Sequence, residues 1–352
     1  MKKLMFFVLS LKMGGSEMAA VRLASILCRD YKVSVCTLFG GGELKAELDG
    51  SVEVKSVFPR FIRGISRLVD KLPPAAAYRF CVRGEYDAEI AVGDGLEAHI
   101  ISGSPNPEKF CWIHMNMLYH GIENCRRAQE RYHAFKKIIC VSETAAVGFS
   151  QKFGFNEKLR IAYTPTDSDM ILKKAAQAEP DEKNYFVAVG RLEAVKGFDK
   201  LIDAFSKLSD KECKLYIMGK GTQKEALQSR IDALKLQDRV FLSGLVLNPY
   251  PYIKGARALI CSSENESFGF TIIEAMILSA PVISVRCGGA EEIINSPDVG
   301  LLCENSTEGL AAALQTFAGG EYFPDIKKAK QRALDFSAER CSGAFIDILK
   351  ED

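Results

Sequence analysis

The 352-residue chain lacks several features that would place it in a class at once. No apolar run approaches the roughly 20 residues that a membrane-spanning helix needs. The opening ten residues are too short and too strand-like for a signal peptide, and the expected location is the cytoplasm. No two cysteines have the Cys-x-x-Cys spacing of a zinc or redox motif. The eleven cysteines are scattered through apolar positions such as Cys36, Cys140 and Cys261, where they read as reduced, buried small hydrophobes. Cys111, His114, His120 and Cys125 match no usual zinc spacing, so no metal site is expected. The chain also lacks a strong charge of one sign, its formal net charge being +1. A nucleic-acid binder would show a larger and more clustered basic excess.

What is present describes a globular enzyme. Hydrophobic residues make up 47% and charged residues 26%, which excludes a disordered or collagenous chain. The length is comfortable for two domains. The small net charge hides an asymmetry: residues 1–165 carry 23 Lys and Arg against 17 Asp and Glu, and the remainder 23 against 28. The first half is therefore suited to an anionic surface or substrate.

Short apolar runs alternate with helical patterns from end to end, the signature of βαβ units and parallel sheets. Strands are expected over 4–10, 32–38, 52–57, 88–92, 110–114, 137–141 and 159–163. A helix over 17–30 has Ala20, Leu23, Ala24 and Leu27 on one stripe. A second series follows, with strands over 185–189, 214–218, 240–242, 258–261 and 281–285 and helices over 198–209, 223–236 and 271–279. The expected organisation is a Rossmann-like domain over 1–165, a linker over 166–184 and a second Rossmann-like domain over 185–334. A helix over 335–352 would close the chain by packing back on the first domain. Two facing domains of this kind bind ligands in the cleft between their strand ends.

Glu266-Ser267-Phe268-Gly269-Phe270-Thr271-Ile272-Ile273-Glu274 is the most informative stretch. Two carboxylates stand eight positions apart, with a glycine where a helix should begin. The backbone N–H groups near Gly269 can face a phosphate, while Glu266 and Glu274 accept hydrogen bonds from hydroxyls on either side of it. A sugar nucleotide carries hydroxyls on both sides of its diphosphate. A surface loop with acidic residues favouring a helix start is the plainer alternative. Gly190-Arg191-Leu192-Glu193-Ala194-Val195-Lys196-Gly197 follows the first strand of the second domain, and its Arg191 and Lys196 can converge on one diphosphate. Gly14-Gly15-Ser16-Glu17 opens the first helix at a turn where a substrate can approach the backbone. Neither Gly-x-Gly-x-x-Gly nor a P-loop occurs there. Gly288-Gly289 with Glu292 repeats the glycine-then-acidic-helix theme, and His114 closes a buried strand.

These motifs, with Gly219-Lys220-Gly221 and Pro281-Val282-Ile283, resemble in this order the retaining GT-B glycosyltransferases of family four, over essentially the whole chain and most specifically in its second half. The resemblance implies an α/β GT-B fold, two facing Rossmann-like domains with a cleft between them. It implies retaining transfer of a sugar from a nucleotide diphosphate donor, a UDP-sugar in preference to a GDP-sugar, to a glycan or lipid-linked acceptor in polysaccharide or glycoconjugate synthesis, with no cofactor and no required metal. Arg191 and Lys196 would stabilise the leaving diphosphate, Glu274 would hold the ribose hydroxyls, and Glu266 with the 267–271 backbone would hold the sugar. Gly14, Gly15 and Gly190 would approach the donor, and His114 would contact the sugar or the acceptor hydroxyl. Two departures stand out. Thr164-Pro165-Thr166-Asp167 replaces the Asn-Gly-Val-Asp of many relatives, and Ser267 stands where glycine is common, which would narrow the sugar pocket. A nucleotide-sugar epimerase or phosphorylase of the same form and an inactive sugar-nucleotide-binding partner are the alternatives.

Residues 58–72 interleave bulky apolar residues with basic ones. Arg60, Arg63, Arg67 and Lys71, with Phe61, Ile62, Ile65 and Leu68, suit an anionic membrane interface beside a lipid-linked acceptor. A solvated helix packing on its own domain is the alternative.

Overall fold

The structure is a computed structural model and describes residues 1–119 and 125–351, without the side chains of 119 and 125–128. The chain forms two compact units, Met1–Pro165 with Ala338–Asp352, and Thr166–Ser337.

The first unit is built on seven parallel strands: β1 Lys3–Val8, β2 Lys32–Phe39, β3 Glu53–Phe58, β4 Ala88–Val92, β5 Lys109–Ile113, β6 Lys137–Cys140 and β7 Leu159–Ile161, in the order β3-β2-β1-β4-β5-β6-β7. The inner strands are apolar without alternation because helices cover both faces of such a sheet. Residues 4–8 of β1 and 110–113 of β5 are buried throughout. From β1 the chain moves outward to β2, and from β4 it moves the opposite way to β5, so the order reverses between β1 and β4. Ligands of open parallel sheets bind at such a reversal, beyond the carboxyl ends of the strands.

The helix Ala338–Lys350 completes this unit with Phe345, whose ring lies 6.3 Å from that of Phe6 and 5.0 Å from that of Trp112. Glu351 then accepts from Arg160 Nε at 2.5 Å and pairs with Lys137 at 3.5 Å. A short-range amphipathic pattern thus becomes a long-range closure, its apolar stripe filling a gap that the first 165 residues leave open.

The second unit holds β8 Tyr185–Val189, β9 Lys214–Met218, β10 Val240–Gly244, β11 Ala258–Cys261, β12 Val282–Val285 and β13 Leu301–Cys303, all parallel, in the order β10-β9-β8-β11-β12-β13. Its reversal lies between β8 and β11. Only β13 escapes the sequence expectation, because three half-buried residues carry no periodicity to read.

The expected linker over 166–184 is a correction. It contains the helix Ser168–Ala175, which Asp167 caps by accepting from Met170 N at 2.9 Å. Ile171 and Ala175 are buried, and the helix packs on the helices Tyr250–Gly255 and Phe270–Ile277. Thr166 is buried and bridges to Ser337. These contacts make the segment part of the second unit, so the unit boundaries fall after Pro165 and Ser337 rather than at 184 and 334.

Candidate functional site

In the second unit the loops after β8, β11 and β12 meet at the carboxyl edge of the sheet. Gly197 takes a left-handed conformation, φ +59°, and an added Cβ there would come 2.2 Å from Ser262 O. This close approach lets Ser262 Oγ donate to Lys196 O at 2.8 Å and Glu264 N to Val195 O at 2.8 Å. The two loops are joined along their backbones, and the joining brings two charges together: Lys196 Nζ lies 2.7 Å from Glu266 Oε2. Ser263 Oγ donates to the same oxygen at 3.1 Å. Burial works to lower the Lys196 pKa, but the charge and hydrogen bond of Glu266 outweigh it and hold the ammonium above the usual lysine value. Each side chain remains about one-fifth exposed, 21% and 20%, so the pair is reachable from solvent.

Arg191 stands at the start of the same loop, exposed and with no ion pair among the described residues, and its charge is felt at Lys196. Gly190 N donates to Met218 O at 3.0 Å and Leu192 N to Lys220 O at 2.9 Å. An added Cβ at Gly219 would fall 1.7 Å from Gly190 O, which explains the glycine in Gly219-Lys220-Gly221.

The helix Phe270–Ile277 begins after Gly269, whose φ of +100° requires glycine. Ser267, Phe270 and Thr271 are half-buried. The Phe268 ring is turned inward against Phe270 at 5.0 Å and Phe336 at 5.7 Å. Glu274 is only 7% exposed, and Tyr250 Oη donates to its Oε1 at 3.3 Å. Cys261 Sγ donates to Ser263 Oγ at 3.8 Å. The neighbouring Cys287 thiol leads the effects that draw the Cys261 thiol down to about 7, with Lys196 assisting, while Cys287 is pushed up.

Sequence reasoning missed how Gly289 serves this loop. Its N–H donates to Glu266 O at 2.7 Å, and a Cβ there would meet Phe268 O at 2.5 Å and Glu266 O at 2.8 Å. The Gly288-Gly289 pair was the available signal. Glu193 was also missed; it accepts from Thr222 N and Oγ1 at 3.2 and 2.8 Å and so anchors the Arg191 loop.

In the first unit, Gly14 caps the helix Gly15–Leu27 in extended backbone. A Cβ there would lie 2.2 Å from Glu17 Oε2, which accepts from Ser16 Oγ at 2.9 Å, whereas Gly15 has open space around it. His114 follows β5, its ring 4.4 Å from that of Trp112. Its Nε2 is enclosed without a partner, and burial drives its pKa down to about 3, so the ring is neutral. Glu97, which no motif singled out, lies over the turn after β4: Cβ atoms at Gly93 and Gly95 would come within 3.4 Å of its carboxyl. Burial, aided by Asp94 and Glu17, raises it to about 8. Among the described residues no group of His, Cys, Asp and Glu is placed to hold a metal ion; His120 and the side chain of Cys125 lie outside them.

Residues 169–333 match the model of the family described as Glycosyl transferases group 1. An uncharacterized glycosyltransferase of Haemophilus influenzae is 24% identical over 97% of this chain and 98% of its own. The N-acetylgalactosamine-N,N'-diacetylbacillosaminyl-diphospho-undecaprenol 4-alpha-N-acetylgalactosaminyltransferase of Campylobacter jejuni is 24% identical over 95% of this chain and 96% of its own. Among solved structures, Anabaena HepE in complex with UDP and glucose superposes with a TM-score of 0.83 at 20% identity, covering both chains completely. The two parallel-sheet units are Rossmann-like, and the fold matches that of GT-B glycosyltransferase structures. The match to the group 1 glycosyl transferases lies wholly within the second unit, and the similarity to the Haemophilus and Campylobacter proteins extends over both units.

Proposed function

We propose that this glycosyltransferase moves a hexosyl group from a nucleotide diphosphate donor, a UDP-sugar in preference to a GDP-sugar, to a glycan or lipid-linked acceptor. The single observation that carries this reading is the joining of Lys196, Glu266 and the glycine-bounded Arg191 loop at the carboxyl edge of the second sheet. Lys196 and Arg191 supply positive charge where negative charge grows on the leaving diphosphate, the step at which preorganised electrostatics contributes most. Those two cations give the diphosphate its charge partners from the protein itself, and a divalent ion is not required. Glu266 accepts from hydroxyls of the transferred sugar, and Glu274 from those of the ribose.

Transfer proceeds with retention. The bond from the anomeric carbon to the phosphate oxygen breaks, the bond to the acceptor oxygen forms on the same face, and the acceptor proton passes to the departing phosphate oxygen. The alpha linkage in the Campylobacter relative's name and the UDP and glucose of the Anabaena complex support these choices. The diphospho-undecaprenol in the same name supports a lipid-linked acceptor in cytoplasmic glycoconjugate synthesis.

Thermal-shift titration with UDP-, GDP- and ADP-sugars tests the donor, because a ligand that binds only the folded state stabilises it. Donor hydrolysis then separates an enzyme from an inactive binding partner, and NMR of the released or transferred sugar reads its configuration. An inverted product, or activity lost to chelator and restored by Mg²⁺ or Mn²⁺, would overturn the mechanism. Conversion of the donor sugar without transfer or hydrolysis would identify an epimerase.

A further inference from the structure

We propose that the first unit docks on a bilayer surface containing anionic lipid, through residues 58–83. Two short helices, Ile65–Lys71 and Pro74–Cys81, turn only Val69, Ala77 and Cys81 fully inward. What remains outside is unusually apolar for a solvated surface: Phe61 is 60% exposed, Leu68 61%, Phe80 48%, Ile62 39% and Leu72 37%. Ile65, expected from sequence among the inserting residues, is half-buried and supports the others instead.

The aromatic part is continuous. Phe61 lies 5.0 Å from Phe39, Phe39 6.2 Å from Phe58, and Phe58 6.0 Å from Phe80, ring centre to ring centre. Lys12 Nζ sits 5.3 Å from the Phe61 ring. Exposed apolar patches of this kind mark interaction sites.

Charge selects the occupant. Arg60, Arg63, Arg67, Lys71, Arg79 and Arg83 are all exposed, and none forms an ion pair among the described residues. The one carboxylate of the stretch, Asp70, is 4.0 Å from Arg131. Unpaired cations surrounding apolar side chains match a membrane interface, in which rings and aliphatic groups enter the headgroup boundary while ammonium and guanidinium groups meet lipid phosphates. A second copy of the chain is disfavoured, because the same face would oppose six cations to six. The proposal rests on this surface and not on the donor reading.

The test is flotation of the full chain with vesicles of phosphatidylcholine alone and of phosphatidylcholine with phosphatidylglycerol, in the absence of donor. Binding is expected only to the second. It should be released when ionic strength rises from about 0.1 to about 1 M, which shortens the Debye length from about 10 to about 3 Å. The variant R60Q/R63Q/R67Q/K71Q should partition at least about tenfold less, since each basic residue near an anionic surface contributes a several-fold effect. The variant F61S/L68S/F80S should also lose binding. All seven positions are exposed, so both variants should fold, and an unchanged thermal midpoint checks this. Wild-type chain that stays unbound, or variants that float like wild type, would overturn the proposal. So would self-association in light scattering without flotation, which would assign the face to a second copy.

Discussion

Lys196 Nζ lies 2.7 Å from Glu266 Oε2, and this contact joins the loop after β8 to the loop after β11. The cation proposed for the diphosphate is thus paired with the carboxylate proposed for the sugar. Under those proposed roles, donor binding would move the ammonium from the carboxylate to the diphosphate and release Glu266 toward hydroxyl groups. The pairing itself holds both side chains in place, which would lower the ordering cost of binding.

Lys196→Ala and Arg191→Ala should each lower turnover by about 10²–10³, the usual cost of removing one donor from developing charge. Donor affinity should fall much less. Steady-state kinetics with titrated donor separates the two effects, and wild-type turnover in either variant would refute the assigned roles.

Glu266→Gln releases Lys196 from its partner, so UDP should bind at least as tightly as to wild type while use of the intact sugar nucleotide falls. Glu274→Gln should instead weaken UDP itself, by roughly 1.5–3 kcal/mol if one charge-assisted hydrogen bond is lost. Calorimetry with UDP checks both; identical behaviour of the two variants would show that the carboxylates do not divide the donor between them.

Stability of the first unit should depend on pH in two opposed ways. His114 has its pKa depressed from 6.5 to about 3, so the unfolded chain binds more protons between those values and stability should rise with pH there. Glu97 is raised from 4.5 to about 8, so the folded chain holds its proton longer and stability should fall as pH rises through that window. The net optimum is expected near pH 5–6, where the two trends meet. Glu97→Gln, which cannot titrate, should flatten the alkaline side in urea unfolding followed across pH, and a slope identical to wild type would contradict the assignment.

Gly289→Ala should destabilise the second unit by about 1–3 kcal/mol and impair donor use, because the new methyl meets two backbone oxygens that cannot yield without moving the Glu266 loop. Gly15→Ala, with open space around it, should leave the melting temperature nearly unchanged. Comparable losses in both would mean that the close approach at Gly289 does not set the loop.

Much of the fold was legible because parallel sheets buried on both faces require continuous apolar strands. Tyr185–Val189, Lys214–Met218 and Ala258–Cys261 fall where their composition placed them. The helix Ser168–Ala175 was not legible: scattered charges and two nearby prolines resemble a linker, and only the burial of Ile171 and Ala175 reveals that it belongs to the second unit. At the site, local spacing marked Arg191, Lys196, Glu266 and Glu274 as chemically apt, since glycine-bounded loops at strand ends are recognisable from adjacent residues.

By itself, then, the chain determined the alternation of strands and helices, the two-unit organisation and the residue types gathered at strand ends. These follow from periodicity and turn chemistry, which act over a few residues. Only the tertiary structure decided that Lys196 pairs with Glu266 across seventy positions, that Gly289 seats the Glu266 loop, that Phe345 closes the first sheet, and that Glu97 keeps its proton near neutral pH. Such features depend on which loops the sheet order brings side by side and on how much water the packing removes, and neither is written in the spacing of neighbouring residues.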